Sequence, residues 1–319
     1  MSIDYEKLNS VPRLLLEVQL RPLQGDRFQP THFPDLGPAR YTAPDGTEKL
    51  LVESPQSVAN RMEMACWDEP NEDLIGGLKG LPYVRVVDHD GRMLTTSIVE
   101  SHRLNSPYIL EGKDKTVFEM LKDELASFEI GAVNLRALAR TVLKYDANAV
   151  LHGVFLAKKD LAGGRLRLAR VLSGFIEASG AAPAESGGAK LDHVDPQGDR
   201  NKGFGNVIYH RTEFTAGQIT AYFNLDLALL RSYGLPQEAD RLLIALALFK
   251  IRRFLSTGLR LRTACDLEPV GDIEISRPDN SFTIPAEEEL LNECKELISA
   301  CRNAGLFAEP PVTEVKWQK

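Results

Sequence analysis

Cations are the residues most able to do chemistry in this chain. Lys158, Lys159, Arg165, Arg167 and Arg170 gather around the Gly163-Gly164 pair. Side-chain charge and free backbone N–H groups converging in one place suit phosphate; a solvated surface accounts for the same spacing equally well. Lys250, Arg252, Arg253, Arg260 and Arg262 form a second cluster. Arg260 and Arg262 alternate along one strand face, where they either meet phosphate or pair with the acidic C-terminal region. Arg136, Arg140 and Lys144 recur every four residues and read as a solvated helix face. Asp26 sits alone in a polar loop, where an aspartate commonly caps its own backbone. No second carboxylate or histidine lies near it in sequence. Asp88 and Asp90 frame an Asp-His-Asp-Gly turn that needs no metal to explain it.

Enzyme signatures are missing elsewhere. There is no GxxxxGK[ST] phosphate loop, no GxSxG elbow and no HExxH pair. The six histidines (His32, His89, His102, His152, His193, His210) share no metal-ligand spacing. His152 is expected inside a strand, as a satisfied sheet histidine. Phe28, Phe33, Tyr108, Phe204, Tyr209 and Tyr222 stand near loops or sheet faces where bases could stack, although most are expected in the core. The four cysteines form no CxxC pair; Cys294 and Cys301 share a helix face with Leu290, Leu297 and Ile298 and read as core packing. Nothing calls for a cofactor or a metal.

Length permits one elaborate domain or two small ones across 319 residues. No apolar run is long enough to span a membrane, and residues 1–10 lack the apolar stretch of a secretory signal, so a reducing cytoplasm is the expected compartment. Net charge is −7, which at first argues against nucleic acid. Residues 263–319 carry twelve acidic and five basic side chains, which accounts for that whole excess. The body before them is neutral with local basic clusters, and such a surface can hold a phosphate backbone without coating DNA indiscriminately.

Periodicity supplies the elements that position these groups. Residues 13–21 read as a buried first strand ended by Pro22, followed by a long polar loop through residues 24–31. A helix follows at 57–67, and strands at 83–87 and 93–98 flank the Asp-Gly turn. Thr116 and Glu119 suggest a capping box, and a second helix starts at Asn134. Residues 149–156 read as an apolar strand, and 165–176 as a helix after the glycine pair. Residues 179–203 are rich in Gly, Ala, Pro, Ser and Asp, without periodicity, and are expected to be mobile unless bound. Strands are expected at 206–210 and 218–225, a buried helix at 239–255, further strands at 259–263 and 273–275, and a final helix from Pro285 to Gly305. The mixture lacks regular βα alternation, so an α+β domain with an antiparallel sheet and sizeable insertions fits best.

Longer strings carry a resemblance. Phe28-Gln29-Pro30-Thr31 with Phe33-Pro34-Asp35-Leu36-Gly37, then Val52-Glu53-Ser54 with Gln56-Ser57 and Ala59-Asn60-Arg61, then Ser101-His102-Arg103-Leu104-Asn105-Ser106-Pro107-Tyr108, resemble the backbone proteins of type I-U (I-G) CRISPR effector complexes. Ala162-Gly163-Gly164-Arg165-Leu166-Arg167, Phe204-Gly205-Asn206 and Tyr222-Phe223-Asn224-Leu225-Asp226 continue the likeness, from about Arg13 to Arg262.

The resemblance implies a "Cas-seven" subunit of the repeat-associated mysterious proteins. Its fold would be α+β, an RRM-like (ferredoxin-like) antiparallel palm with insertions. One domain would cover residues 1–319, with a β-hairpin thumb at 179–203 and an acidic C-terminal helix and tail at 285–319. Copies would polymerise along CRISPR RNA and present it to target DNA through guide pairing, beside other Cascade subunits. Guide contacts would fall on Gln24, Arg27, Gln29 and Thr31, on Lys158, Lys159, Arg165 and Arg167, and on Arg61, Arg103, Asn105, Arg260 and Arg262. No catalysis is implied. The rivals are a metal-dependent ribonuclease using Asp26, as type III backbone subunits use a loop aspartate, and a scaffold that binds only proteins.

Overall fold

Leu14, Leu16, Val18 and Leu20 are buried and alternate with Leu15, Glu17, Gln19 and Arg21, so the strand Leu14–Pro22 has one apolar face. That strand lies inside the main sheet. The computed structural model describes residues 2–33, 35–128, 131–279 and 281–318; Met1, Pro34, Glu129, Ile130, Asn280 and Lys319 lie outside them. Across the sheet the order is Arg260–Arg262, Cys265–Pro269, Leu14–Pro22, Gln218–Leu225, Leu172–Ser179, Glu48–Glu53 and Arg40–Thr42, and Glu274–Arg277 also pairs with Leu14–Pro22. Every pairing in it is antiparallel. The expected α+β class and antiparallel sheet are therefore found.

Register puts the apolar side of each central strand together. Leu14 faces Leu225 and Leu225 faces Leu172; at the other end Leu20 faces Ile219 and Ile219 faces Ala178. Helix Pro55–Met64 and helix Gln237–Thr257 pack on this side. Ser54 starts the first by accepting from Ser57 N at 3.3 Å ahead of Pro55, and Val58, Ala59 and Met62 turn inward. The second is buried nearly all round and packs against helix Glu287–Asn303, whose Leu290, Cys294, Ile298 and Cys301 face inward. All four cysteines are free and buried, with Cys294 and Cys301 on the inward helix face that their spacing suggested. The C-terminal strand Val312–Lys316 pairs parallel with Tyr83–Val87, itself in a hairpin with Met93–Thr96 through the expected Asp88–Gly91 turn.

Several local expectations fail for identifiable reasons. Residues 149–156 are not one strand: helix Ala147–His152 ends at Gly153, and only Val154–Leu156 is extended. Asp146 caps that helix by accepting from Ala149 N at 3.0 Å. Residues 165–176 are not a helix, because Leu166–Leu168 and Leu172–Ser179 are strands. The capping box at Thr116 does not form; Asp114 Oδ1 instead accepts from Thr116 N and Oγ1 at 2.9 and 2.6 Å. Strand Val207–Thr215 does not pair with its successor. It pairs with Ala182–Lys190, so the segment expected at 179–203 belongs to a β-hairpin that extends to residue 215.

A polar knot lies within the core. Glu63, Arg103, Asp146, Asn148, His152 and Lys250 are all nearly sealed from solvent. Lys250 Nζ bonds Asn148 Oδ1 and meets His152 Nε2 at 3.1 Å. Burial, with Lys250 beside it, pushes the His152 imidazole well below its ordinary range, so it is neutral.

Candidate nucleic-acid interface

The polar loop after the first strand is pinned at four points. Leu23 N donates to Asp266 O, Phe28 and Phe214 exchange backbone bonds at 2.9 Å each, Gln29 N donates to Ala264 O, and Thr31 N donates to Val52 O. A loop without regular structure is thus held rigid by the hairpin base and by two sheet strands. Phe28 is its anchor, fully buried.

Two depressions flank the loop. Gln24, Asp26 and Arg27 line the first with Glu213, Ala264 and Asp266. The fold therefore brings Asp26 two carboxylates that lie far away in sequence. Glu213 is buried and held by Arg211 and by Arg27, the latter at 3.5 Å. Among the described residues, the one group of three drawn close enough for a single cation is Asp88, His89 and Asp90. Asp88 Oδ1 there accepts from Asp90 N and Arg92 N, which holds its carboxyl below the usual range. The turn accounts for it.

The second depression is a groove lined by Gln29, His32, His210, Arg211, Thr212 and Arg262. Arg262 spans its floor, donating to Gln29 O at 3.0 Å, Val52 O at 3.1 Å and the Glu53 carboxylate. Arg61 reaches the Leu261 carbonyl and Glu53. Both arginines thus shape the groove more than they face out of it. Gln29 Oε1 is buried with no hydrogen-bond partner among the described residues. Arg260 stays exposed on the adjoining strand.

A third groove lies beyond helix Pro55–Met64. Gln56, His102, Arg103, Asn105, Phe155, Arg167 and Arg170 line it. Phe155 and Arg167 face each other across the ladder Val154–Leu156 with Leu166–Leu168; the ring is 50% exposed and the arginine is exposed. Arg170 is positioned by Gln56 Oε1 at 2.7 Å and His152 O at 3.3 Å. Asn105 Oδ1 accepts from Ala157 N at 2.9 Å, holding the chain into the neighbouring turn. Arg103 lies beneath, 4% exposed, with Glu63.

The glycine-pair cluster is organised differently from the sequence reading. No helix follows Gly164, and the turn's N–H groups at Leu161, Gly163 and Gly164 bond within the turn. Arg165 donates to the carbonyls of Ala162, Gly131 and Phe128, fastening the turn to the preceding segment. Lys158 pairs with Glu111 at 2.7 Å, and Lys159 and Arg167 face solvent. In the second basic cluster ion pairing prevails, with Arg252 on Asp272 at 2.7 Å and Arg253 on Glu287 at 3.0 Å, while Lys250 is buried.

Of the aromatic residues, fewer are core than expected. Phe28 is buried and Tyr222 stacks on Phe175 at 5.0 Å, but Phe33, Tyr108, Phe204 and Tyr209 are exposed. Phe155 went unnoticed in the sequence, Gln56 and His102 were not singled out as contacts, and Arg170 was placed with the glycine-pair cluster. They come from four separate segments, and no spacing within one segment marks them as a group.

One short stretch joins the two grooves. Val52 and Glu53 hold Arg262 in one, and Gln56, three residues on, lines the other. The two grooves therefore lie on either side of the segment Val52–Gln56. Between them the grooves present cations, amides and an open ring, chemistry fitted to sugar and phosphate contacts and to base stacking.

Residues 14–183 match the family described as CRISPR-associated protein GSU0053. Among solved structures, a chain of a CRISPR RNA-guided surveillance complex in a pre-nicking state aligns over 92% of this chain and 87% of its own, at 15% identity and a TM-score of 0.43. A second such surveillance-complex chain covers 92% of this chain and 83% of its own, at 16% identity and a TM-score of 0.37. Csc2 of Thermofilum pendens aligns over 96% of this chain and 81% of its own, at 9% identity and a TM-score of 0.33. No curated protein matches the chain.

Proposed function

The chain belongs to the CRISPR-associated GSU0053 family, and from that premise we propose that it is a guide-RNA-binding backbone subunit of a type I CRISPR surveillance complex. Copies polymerise along the CRISPR RNA spacer, hold it by sugar and phosphate, and leave its bases free to pair with target DNA. Other Cascade subunits cap the assembly. The observation that carries this reading is the exposed Phe155–Arg167 pair in the groove of Gln56, Asn105 and Arg170, which sets its contacts along one path. An arbitrary guide must be gripped without base readout, and this path offers cations, amides and a ring.

The strand order supports an RRM-like palm. Taken in chain order as first (Leu14–Pro22), second (Leu172–Ser179), third (Gln218–Leu225) and fourth (Cys265–Pro269), the central strands lie side by side as fourth, first, third, second. Helix Pro55–Met64 falls between the first and second, and Gln237–Thr257 between the third and fourth. The hairpin of residues 182–215 then interrupts the link from second to third strand, and we assign it as the thumb. The contacts retained are Gln24, Arg27, Gln29, Thr31, Asn105, Lys158, Lys159, Arg167 and Arg260, joined by Gln56, His102, Phe155 and Arg170. Arg61, Arg103, Arg165 and Arg262 act from behind, as struts.

We assign no catalytic role. Of the two carboxylates that share its depression, Glu213 is engaged by two arginines, and among the described residues Asp26, Glu213 and Asp266 are not drawn close enough together to share one cation. Purified protein with a guide RNA tests the reading. Guide-length RNA protected from nuclease, and released as salt rises, is the expected result; an RNA-free protein at low salt would overturn it. Metal-dependent RNA cleavage abolished by Asp26→Ala would establish the ribonuclease instead.

A further inference from the structure

A groove of about 460 Å³ lies between helix Glu6–Asn9, helix Leu227–Ser232 and the first turns of Gln237–Thr257, and none of the guide contacts retained above lines it. Small-ligand sites typically enclose about 300–1,000 Å³. Leu8, Leu227, Leu230, Leu235 and Ile244 supply apolar wall.

Glu6, Arg231, Asp240 and Arg241 share the lining, and only the two cations are engaged. Arg231 spends its donors on the carbonyls of Leu8 and Val11 at 3.3 and 2.8 Å. Arg241 lies over the Tyr5 ring, 5.0 Å from its centroid. Asp240 Oδ1, by contrast, is sealed from solvent with no hydrogen-bond partner among the described residues. Burial pushes its carboxyl up to about 6, and Arg231 offsets that only in part.

An under-compensated carboxylate calls for a cation that brings its own donors. The leucine walls beside it call for methylene groups. Glu6 is exposed on the same groove and adds a second anionic point. A lysine side chain of a partner protein has one ammonium and would leave Glu6 unused. A free chain of methylenes with an ammonium at each end uses both carboxylates and the wall between.

We propose that this groove binds a linear aliphatic polyamine, with one ammonium on Asp240, the methylenes along Leu8, Leu227 and Leu230, and a second ammonium at Glu6. The site is independent of the guide-binding reading, and either stands if the other falls.

Titration calorimetry on the RNA-free protein at pH 7.5 and moderate salt tests it, with cadaverine as the probe. Pentylamine, with one ammonium, and pentanediol, with none, serve as comparisons. Cadaverine is expected to bind one per chain. Asp240→Asn weakens it at least about tenfold, because a buried charge pair is lost at nearly unchanged shape. Glu6→Gln weakens cadaverine about two- to fivefold, as suits an exposed pair, and leaves pentylamine unchanged. Gln237→Trp, which narrows the exposed mouth, weakens both amines. Thermal melting checks that each variant folds, and Gln237→Trp keeps the test open if Asp240→Asn does not. No saturable binding of cadaverine, or binding that Asp240→Asn and Gln237→Trp both retain, would overturn the proposal; the second result would mean that amines merely coat an acidic surface. Pentylamine or pentanediol bound as tightly as cadaverine would overturn it as well, because the second ammonium would then have no partner.

Discussion

Arg103 donates from Nε and Nη2 to the two carboxylate oxygens of Glu63, each at 2.8 Å, with both side chains nearly sealed from solvent. The pair bolts the turn at Arg103–Asn105 to helix Pro55–Met64, and the two elements form opposite walls of the groove that holds Phe155 and Arg167. Its third donor, Nη1, reaches Gly153 O at 3.3 Å, so the strand carrying Phe155 is tied to the same point.

Glu63→Ala is expected to destabilise the protein by about 3–5 kcal/mol, because it leaves a buried guanidinium without its counter-charge. Replacing both partners with apolar residues should cost far less. Urea denaturation of the single and double variants checks this, and equal losses in both would show that the ion pair is not what holds the turn.

Phe155→Ala and Arg167→Ala should each weaken RNA binding with little change in stability, since both side chains are exposed. Loss of the ring removes about 1–3 kcal/mol of stacking, alike for guides of different sequence. Loss of the arginine lowers the slope of log affinity against log salt by about one. Fluorescence anisotropy over a salt series measures both. Unchanged affinity in the two variants would move the RNA path away from this groove.

How much of this was legible follows from which physical signal each element relied on. The first strand and Gln218–Leu225 declare themselves through alternation, Gln237–Thr257 through a long apolar run and Glu287–Asn303 through its Pro285 and Gly305 bounds, and they build the sheet and its cover. Residues 149–156 do not, because a short apolar run has no period that separates a strand from a buried helix; Asp146, as a helix cap, was the missed sign. Arg165, Arg167 and Arg170 looked helical by spacing, while the buried Leu166 and Leu168 between them follow the period of a strand. Strand Ala182–Lys190 (APAESGGAK) has almost no intrinsic strand preference. Its ladder with Val207–Thr215 is a property of the partner, not of the segment. The grooves were least legible, since burial of Arg103 and exposure of Phe155 are decided by elements distant in sequence.

Gly164 cannot accept a side chain. Its φ is +69°, and a Cβ there would stand 2.5 Å from the Ala157 carbonyl oxygen. Gly164→Ala should therefore cost about 2 kcal/mol or more and displace the Lys158–Arg165 turn. Gly163 has φ of +74° but open space around it, so Gly163→Ala should cost about 1 kcal/mol. Thermal melts of the two variants give the comparison, and equal losses would show that backbone conformation alone sets the cost.

Asp240 gives a pH-dependent test with a definite sign. Burial pushes its carboxyl up to about 6 against the ordinary 3.8, with Arg231 only partly offsetting it. Above pH 6 the native state carries a desolvated carboxylate that the unfolded chain keeps hydrated, so the group destabilises the fold. As pH falls through 6 the native state takes up a proton that the unfolded chain does not bind until near pH 4, and stability recovers across that window. Asp240→Asn removes the charge at similar shape. It should stabilise the protein by about 1 kcal/mol at pH 7, after discounting for partial exposure of the group. That advantage should shrink from pH 6 to 4 and vanish below. Asp146, pushed to about 7 by burial, and His152, pushed down, also titrate, but they are common to both proteins and cancel in the difference. Paired denaturation curves from pH 4 to 8 measure it. A variant that is less stable at pH 7, or an advantage that does not change with pH, would mean that Asp240 is already compensated within the chain.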